Sequence, residues 1–564
     1  MGACKIMARI LYLRNSIRKA NRFRGMLLLV FCSLNFSTQA TNYYINNVQG
    51  TDANSGLTKH HPWKTIAPLS NVILSAGDSV FFASGQEFSG PLVLNNSTGA
   101  AGMPIYIGAY TYNGNKQKPL LDAGNAFYSV HLLNVSFIEI DGLEITGVNP
   151  VDQNEQSGNT PMRCGVLVEY TKAGLYESVT LRNLSIHDVY LMPKGFKRTA
   201  AETQTANGTQ GYGWGIRFIN NTRDALLKNV QVLQAEIYNV SHTGLKFTAT
   251  TAGIQQVNVA DCYIHDTGGP GLQLSGVRDG YILRNRIDHS GSVADSRNWG
   301  RGSGMWTWDC RNMLIEHNRF TNANGPGDSA GVHIDYNCSD VVIQYNLSAN
   351  NAGGFCEILG NNYNCAYRYN VSINDGHRLK GVNGAFQEGK IFWLSGYVGN
   401  NKKNTGPFNS YFYNNTIYVA KNIVPKIAIS SSASGVLIAN NIFYFEGAAQ
   451  MVAGDQKKKE VDLNAIPNVV FTNNLFLKAD NWPADCIVQD VKPLFGDPLF
   501  INKGGMNIRD YIPGNMRIVK NRSVTVVHIP QDTVGLRIGL KVKNDILGNP
   551  IKGQPDLGAI ELTD

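Results

Sequence analysis

Two carboxylates carry the chemistry this sequence offers, Asp335 and Glu357, within GVHIDYNCSDVVIQYNLSANNAGGFCEILGN from Gly331 to Asn361. Each acid lies in a short alternating segment that follows glycine. If the two segments are successive parallel strands, the acids stand one strand spacing apart, about 4.8 Å. Retaining glycosidases hold their two carboxyl groups about 5–5.5 Å apart, and inverting ones roughly 6.5–9.5 Å. The pair therefore suits retention, with Asp335 as nucleophile and Glu357 donating a proton and later activating water. Neighbouring carboxylates also split their titration, so that one stays ionised while the other holds a proton.

The elements that must position them repeat along the chain. One recurrent piece starts with glycine: GVLVEY at Gly165, GIRFI at Gly215, GLKFT at Gly244, GLQLS at Gly271, GMWTWD at Gly304 and GVHIDY at Gly331. A second carries asparagine near a turn, at Asn183, Asn285, Asn318, Asn346, Asn370, Asn415, Asn441 and Asn474. Asn318 and Asn346 are 28 residues apart, and Asn415 and Asn441 are 26 apart, the length of one solenoid coil. Stacked asparagines can donate to one neighbour and accept from the other, so their expected role is structural. The expected fold is all-β: a right-handed parallel β-helix with N- and C-terminal caps.

Alternation puts Val332, Ile334 and Tyr336 on one face of the strand, with His333 and Asp335 on the other. In GGFCEIL, Gly353 in the glycine slot sends Cys356 and Ile358 inward, with Phe355 and Glu357 outward. The other register would bury an unpaired carboxylate. One outward column then reads Arg217, Lys246, Gln273, Trp306, His333, Phe355. The next reads Glu169, Ile219, Thr248, Ser275, Trp308, Asp335, Glu357. Exposed Trp306, Trp308 and Phe355 are expected to stack on sugar rings. His333 and Asp309 are expected to touch substrate, and Lys246 and Arg217 to meet an anionic sugar further along. A structural hydrogen bond is the alternative for His333, and Asp309 and Asp328, which flank the same rungs, could hold substrate or water, with turn roles the commoner reading. Long insertions before Gly165, Gly215 and Gly304, and another after Asp375, are expected to wall this face into a cleft.

The first segment resembles the opening of many secreted bacterial β-helix proteins. The matching parts are Gly50-Thr51-Asp52 with Asn54 and Gly56, Pro62 to Ile66, and Gly77-Asp78. Asp52 and Asn54 could ligate calcium there, although turn roles are commoner. The site resembles glycoside hydrolase family 120, the β-helix β-xylosidases, through Gly331-Val332-His333-Ile334-Asp335-Tyr336 and Phe355-Cys356-Glu357-Ile358. That resemblance implies an Asp nucleophile followed one coil later by a Glu acid/base. His333 stands where that family has an aromatic residue, a departure that bears on the substrate.

Composition bounds the rest. The chain has 564 residues, 58 of them glycine, and is 16% charged, which fits a turn-rich β protein. Its net charge of +8 lies in a leader: Lys5, Arg9, Arg14, Arg18, Lys19, Arg22 and Arg24 precede residue 41 with no acid among them. Without those seven, 43 basic residues face 42 acidic ones, so nothing points to nucleic acid. The apolar run Met26–Phe36 followed by STQA reads as a secretory signal with cleavage near Ala40, not a membrane span. Expected divisions are 1–40 signal, 41–128 N-terminal cap and first coils, 129–480 helix core with the cleft, and 481–564 C-terminal cap. Beyond the leader lie Cys164, Cys262, Cys310, Cys338, Cys356, Cys365 and Cys486, without a C-x-x-C metal pattern. Cys310 and Cys338 could pair across adjacent coils. The expectation is a secreted or periplasmic monomer that takes a carbohydrate and needs no cofactor or metal. Polysaccharide lyase action on a uronate glycan, with Arg217, Lys246, His333, His377, Arg378 and Lys380 supplying cations and a base, is the alternative. A non-catalytic glycan-binding solenoid is another.

Overall fold

The computed structural model describes residues 40–148, 162–206, 208–250, 252–454 and 466–563. Apart from Ala40, the leader lies outside these residues, as does most of the insertion before Gly165. Three long parallel sheets of 14, 12 and 14 strands wind round one another, each strand pairing with its counterparts one coil before and after. This is the parallel β-helix the repeats call for.

The glycine strands all fall in the 12-stranded sheet. Their inward side chains stack in two files. One runs Val166, Ile216, Leu245, Leu272, Met305, Val332 and Cys356, and the other Val168, Phe218, Phe247, Leu274, Thr307, Ile334 and Ile358. All are buried, and Phe218 and Phe247 stack at 4.6 Å. Each large apolar side chain so buried contributes roughly 1.5–3 kcal/mol. The glycines stack too: a Cβ at Gly304 would lie 2.4 Å from the carbonyl oxygen of Gly331. That slot is a tight inward corner of the coil.

Asparagines form the second structural column. Asn285, Asn318, Asn346, Asn370, Asn415 and Asn441 each donate from Nδ2 to the Oδ1 of the next, ending at Asn474, which donates to Asp490 at 2.8 Å. Asn183 is not part of it. It is exposed, one residue before the column, and its Nδ2 reaches Asp141 at 3.4 Å. Leu184, Ala235 and Cys262 occupy the column in the early coils, where apolar packing replaces the amides.

At the N-terminal end Asp52 accepts from Lys64 N–H, Thr65 N–H and the Thr65 hydroxyl, and Asn54 donates to Pro62 O. These are turn contacts. The C-terminal segment packs along the outside of the later coils: Asp532 accepts from Asn364 at 2.8 Å and from Tyr411, and Arg368 donates to Gly539 O at 2.7 Å. The seven cysteines beyond the leader are buried and unbridged, Cys310 N–H donating to Cys338 Sγ at 3.4 Å. No helix among the described residues is long and apolar enough to cross a membrane.

Candidate active site

Strand register decides which outward side chains are neighbours. Met305 pairs with Val332, Trp306 with His333, and Ile334 with Ile358. Glu357 is therefore level with His333, and the file reads Arg217, Lys246, Gln273, Trp306, His333, Glu357, Trp393. The expected pairing of Glu357 with Asp335 is corrected by two residues. The cause lies in the glycine slot: the position level with Gly331 is Phe355, not Gly353. Phe355 therefore points into the corner that glycine leaves open in earlier coils. It is 1% exposed and packs edge-on to Tyr367 at 5.6 Å, so it is core and no sugar platform. Cys356 and Ile358 do face inward.

Asp335 sits just past the end of strand Val332–Ile334, held by its N–H to Thr307 O at 2.9 Å. Its Oδ1 accepts from the Tyr336 N–H at 2.8 Å, while Oδ2 lies 3.9 Å from His333 Nε2. Glu357 Oε2 lies 3.9 Å from His333 Nδ1, which also meets Ser303 Oγ at 3.0 Å. One imidazole thus touches both acids, one at each ring nitrogen. Burial works against its charge, but Glu357, Asp335 and Asp328 outweigh it and raise the imidazole to about 9. At neutral pH it is an imidazolium.

Asp328 is a third acid of this cluster. Arg301 grips it at 2.8 and 3.0 Å, and although burial opposes ionisation, that guanidinium holds the carboxyl below its usual range. Three inserted loops meet there. Arg301 donates to Gln204 O at 2.9 Å, Gln387 Oε1 accepts from the Asp328 N–H, and Arg378 donates to Asp328 O at 2.9 Å. These three insertions border the outward face at Asp328 and fix it through its backbone as well as its carboxylate. Sequence reasoning gave Asp328 a turn role because its partner Arg301 lies in a loop with no repeat to align it.

The aromatic residues divide. Trp308, in the file of Asp335 one strand back, is 42% exposed and lies 5.1 Å from Tyr336. Trp306 faces outward but is buried, its ring edge-on to His333 at 5.2 Å, so it shapes the site from below. Asp309 is committed to Arg278 at 3.3 Å and to Asn337 at 2.7 Å, which makes it an organiser of the cleft wall. Trp393, level with Glu357, went unnoticed in the sequence because its strand, Lys390–Leu394, has Ile391 in the glycine slot. Lys390 Nζ lies 4.0 Å over its ring.

From Trp308 and Asp309 a cleft of about 730 Å³ runs back past Ser275 and Gln273 to Lys246 and Arg217. Lys246 and Arg217 do lie on adjacent strands on its floor, over the Trp214 ring at 5.3 and 4.3 Å. Burial, with Arg217 adding to it, pulls the Lys246 amine down to about 7. Among the described residues no group of histidine, cysteine and acids is arranged to hold a metal.

Fold and comparison define the class: residues 123–401 match the family model of the right-handed β-helix region. The chain is 24% identical to a lacto-N-biosidase of Bifidobacterium longum subsp. longum, over 93% of this chain and 36% of that protein. It thus spans about a third of that relative's length. The GH136 lacto-N-biosidase of Eubacterium ramulus superposes with a TM-score of 0.49 at 18% identity, covering 78% of this chain and 69% of that one. XylC in complex with xylose gives a TM-score of 0.48 at 11% identity, covering 93% and 98%.

Proposed function

We propose that this protein is a glycoside hydrolase that cleaves an oligosaccharide with retention, Asp335 acting as nucleophile and Glu357 as acid/base. The observation that carries the reading is the convergence of both carboxyls on the His333 imidazole beside the exposed face of Trp308. Asp335 attacks the anomeric carbon as Glu357 protonates the departing oxygen. Glu357, now a carboxylate, then takes a proton from the water that releases the sugar from Asp335. His333, positively charged, steadies the Asp335 carboxylate before attack and the Glu357 carboxylate once its proton has left, and Asp328 sustains that charge. Level pairing no longer supports retention. At the backbone the two acids are one strand and two residues apart, a diagonal of roughly 8 Å. Retention rests on the Asp-then-Glu order shared with the β-helix β-xylosidases, and the anomer released first decides it.

The lacto-N-biosidase relative makes a glycan ending in lacto-N-biose the first substrate to assay, and the β-xylosidase-like order of Asp335 and Glu357 makes xylosides the second. The leader reading supports action in the periplasm or outside the cell, and a monomer is expected. The test is incubation with both substrate sets, following new reducing ends and, by NMR, the anomer released first. Retained anomer is expected. Inverted product would overturn the nucleophile role, and no new reducing ends from any glycan would overturn the hydrolase.

A second reading, β-elimination of a uronate, has one observation in its favour: Lys246 titrates near neutrality beside the Arg217 cation, a base next to a carboxylate neutraliser. New ends carrying the ultraviolet band of unsaturated uronates would select it.

A further inference from the structure

Among the described residues, the two basic side chains on the floor of the cleft, Lys246 and Arg217, have no ion-pair partner. Lys246 is 9% exposed and Arg217 5%, and they are direct neighbours across two strands. Among the described residues, no carboxylate pairs with Lys246 Nζ, which lies over the Trp214 ring, and Arg217 Nε is a buried donor without an acceptor. Among the described residues, Arg217 Nη1 reaches neutral groups, Gln210 Oε1 and Met162 Sδ. The acid that most affects Arg217, Glu169, lies 3.4 Å from His131. Trp214 offers its ring face to both cations, but a ring accepts no directed hydrogen bond from their remaining N–H groups.

Two like charges buried on neighbouring strands cost stability, and burial of a cation without an anion costs more, so the Lys246 amine is pulled down to about 7 and an oxyanion beside it would restore its full charge. Violations of this kind concentrate where a ligand completes the arrangement. The space before these donors is the open cleft, also lined by Gln273 and Thr248. Thr248 Oγ1 is a further buried polar atom without a partner among the described residues.

We propose that Lys246 and Arg217 form a subsite for an oxyanion substituent, a sulfate ester or a carboxylate, on a sugar bound along the cleft away from the bond cleaved. Guanidinium and ammonium together supply the forked and point-charge donors such a group takes up. Lys246 is three strands from His333, through Gln273 and Trp306, so the two sites are roughly 14 Å apart. That separation puts the charged group on a neighbouring sugar, leaving the acids clear of its repulsion. The inference deepens the hydrolase reading and rests on it only for the glycan's course along the cleft.

The test is a ligand-observed NMR titration of the full chain carrying Asp335→Asn, with galactose, galactose 6-sulfate and N-acetylneuraminate as probes. At least one anionic sugar is expected to bind about tenfold or more tightly than galactose, with the advantage shrinking as salt rises. Which anionic probe wins separates sulfate from carboxylate. Lys246→Met is expected to bring the ratio to near one. Gln273→Glu, which keeps Lys246 but sets an acid level with it, is expected to do the same and decides the matter if the first variant does not fold. Equal binding of all three sugars, or a preference that survives both variants, would overturn the subsite. Because the readout is binding, a protein that shows the preference yet hydrolyses nothing would refute the hydrolase and keep the subsite.

Discussion

Glu357 stands level with His333 on the next strand, its Oε2 3.9 Å from Nδ1, while Asp335 Oδ2 lies 3.9 Å from Nε2 of the same ring. The imidazole is the hinge of the site, since it reaches both acids. Its charge has a defined pH window. Against burial, Glu357, Asp335 and Asp328 lift it from 6.5 to about 9, so the folded protein holds a proton that the unfolded chain releases earlier. The resulting stability is complete below about pH 6.5 and disappears as pH rises through about 9. Across that window the wild type is expected to lose about 3 kcal/mol relative to His333→Gln, a comparison that cancels the opposite slope contributed by Lys246. Chemical denaturation of both proteins between about pH 6 and about 9.5 checks this, and a difference between them that does not change with pH would refute the assignment.

Trp308 offers the broadest exposed aromatic face next to the acids. Trp308→Ala is expected to raise KM about tenfold with little change in kcat, because the ring binds ground and transition states alike. Steady-state kinetics on a cleaved glycan check this. A fall in kcat at constant KM would instead place the ring at the reacting sugar.

Asp328 and Arg301 are both largely buried and paired at 2.8 Å. Arg301→Met leaves a buried carboxylate with its main partner gone. The expected cost is about 3–5 kcal/mol by chemical denaturation. The double variant Arg301→Met with Asp328→Asn should recover a good part of it.

A second short ladder ends at Asp375, whose Oδ1 accepts from Asn351 N–H and Nδ2 at 2.9 Å and whose Oδ2 meets Ser372 Oγ at 2.7 Å. Burial raises this carboxyl to about 7 despite those bonds. The folded state keeps a proton that the unfolded state loses near pH 4, so stability falls from about pH 4 to about 7 and is level beyond. Asp375→Asn extends the amide ladder and is expected to remove this slope, worth roughly 4 kcal/mol. In the main ladder, Asn346→Leu orphans the Asn318 N–H and the carbonyl of Ile315 together. The expected loss is about 2–5 kcal/mol.

The solenoid was legible because stacking forces repetition. Glycines at the tight corner and amides at the turn must recur coil after coil, and both columns stand in the primary structure. Inward and outward parity at Cys356, Glu357 and Ile358 was legible for the same reason. The level of Glu357 was not. Gly353-Gly354 offers a glycine to align, whereas the coil puts Phe355 in the slot, a choice set by contact with Tyr367 and Phe412 from later coils. Nor could spacing reveal that Arg301, Gln204 and Gln387 gather round Asp328, since loops outside the repeat carry all three.

The central claim is the division of labour between Asp335 and Glu357, and kinetics on an aryl lacto-N-bioside or xyloside with a good leaving group tests it most directly. Asp335→Asn is expected to abolish both steps. Glu357→Gln is expected to keep the first step and lose turnover by about 10²–10⁴-fold, with azide restoring turnover and giving a glycosyl azide of retained configuration. Wild-type turnover of a poor leaving group by Glu357→Gln, or turnover by Asp335→Asn, would contradict the account.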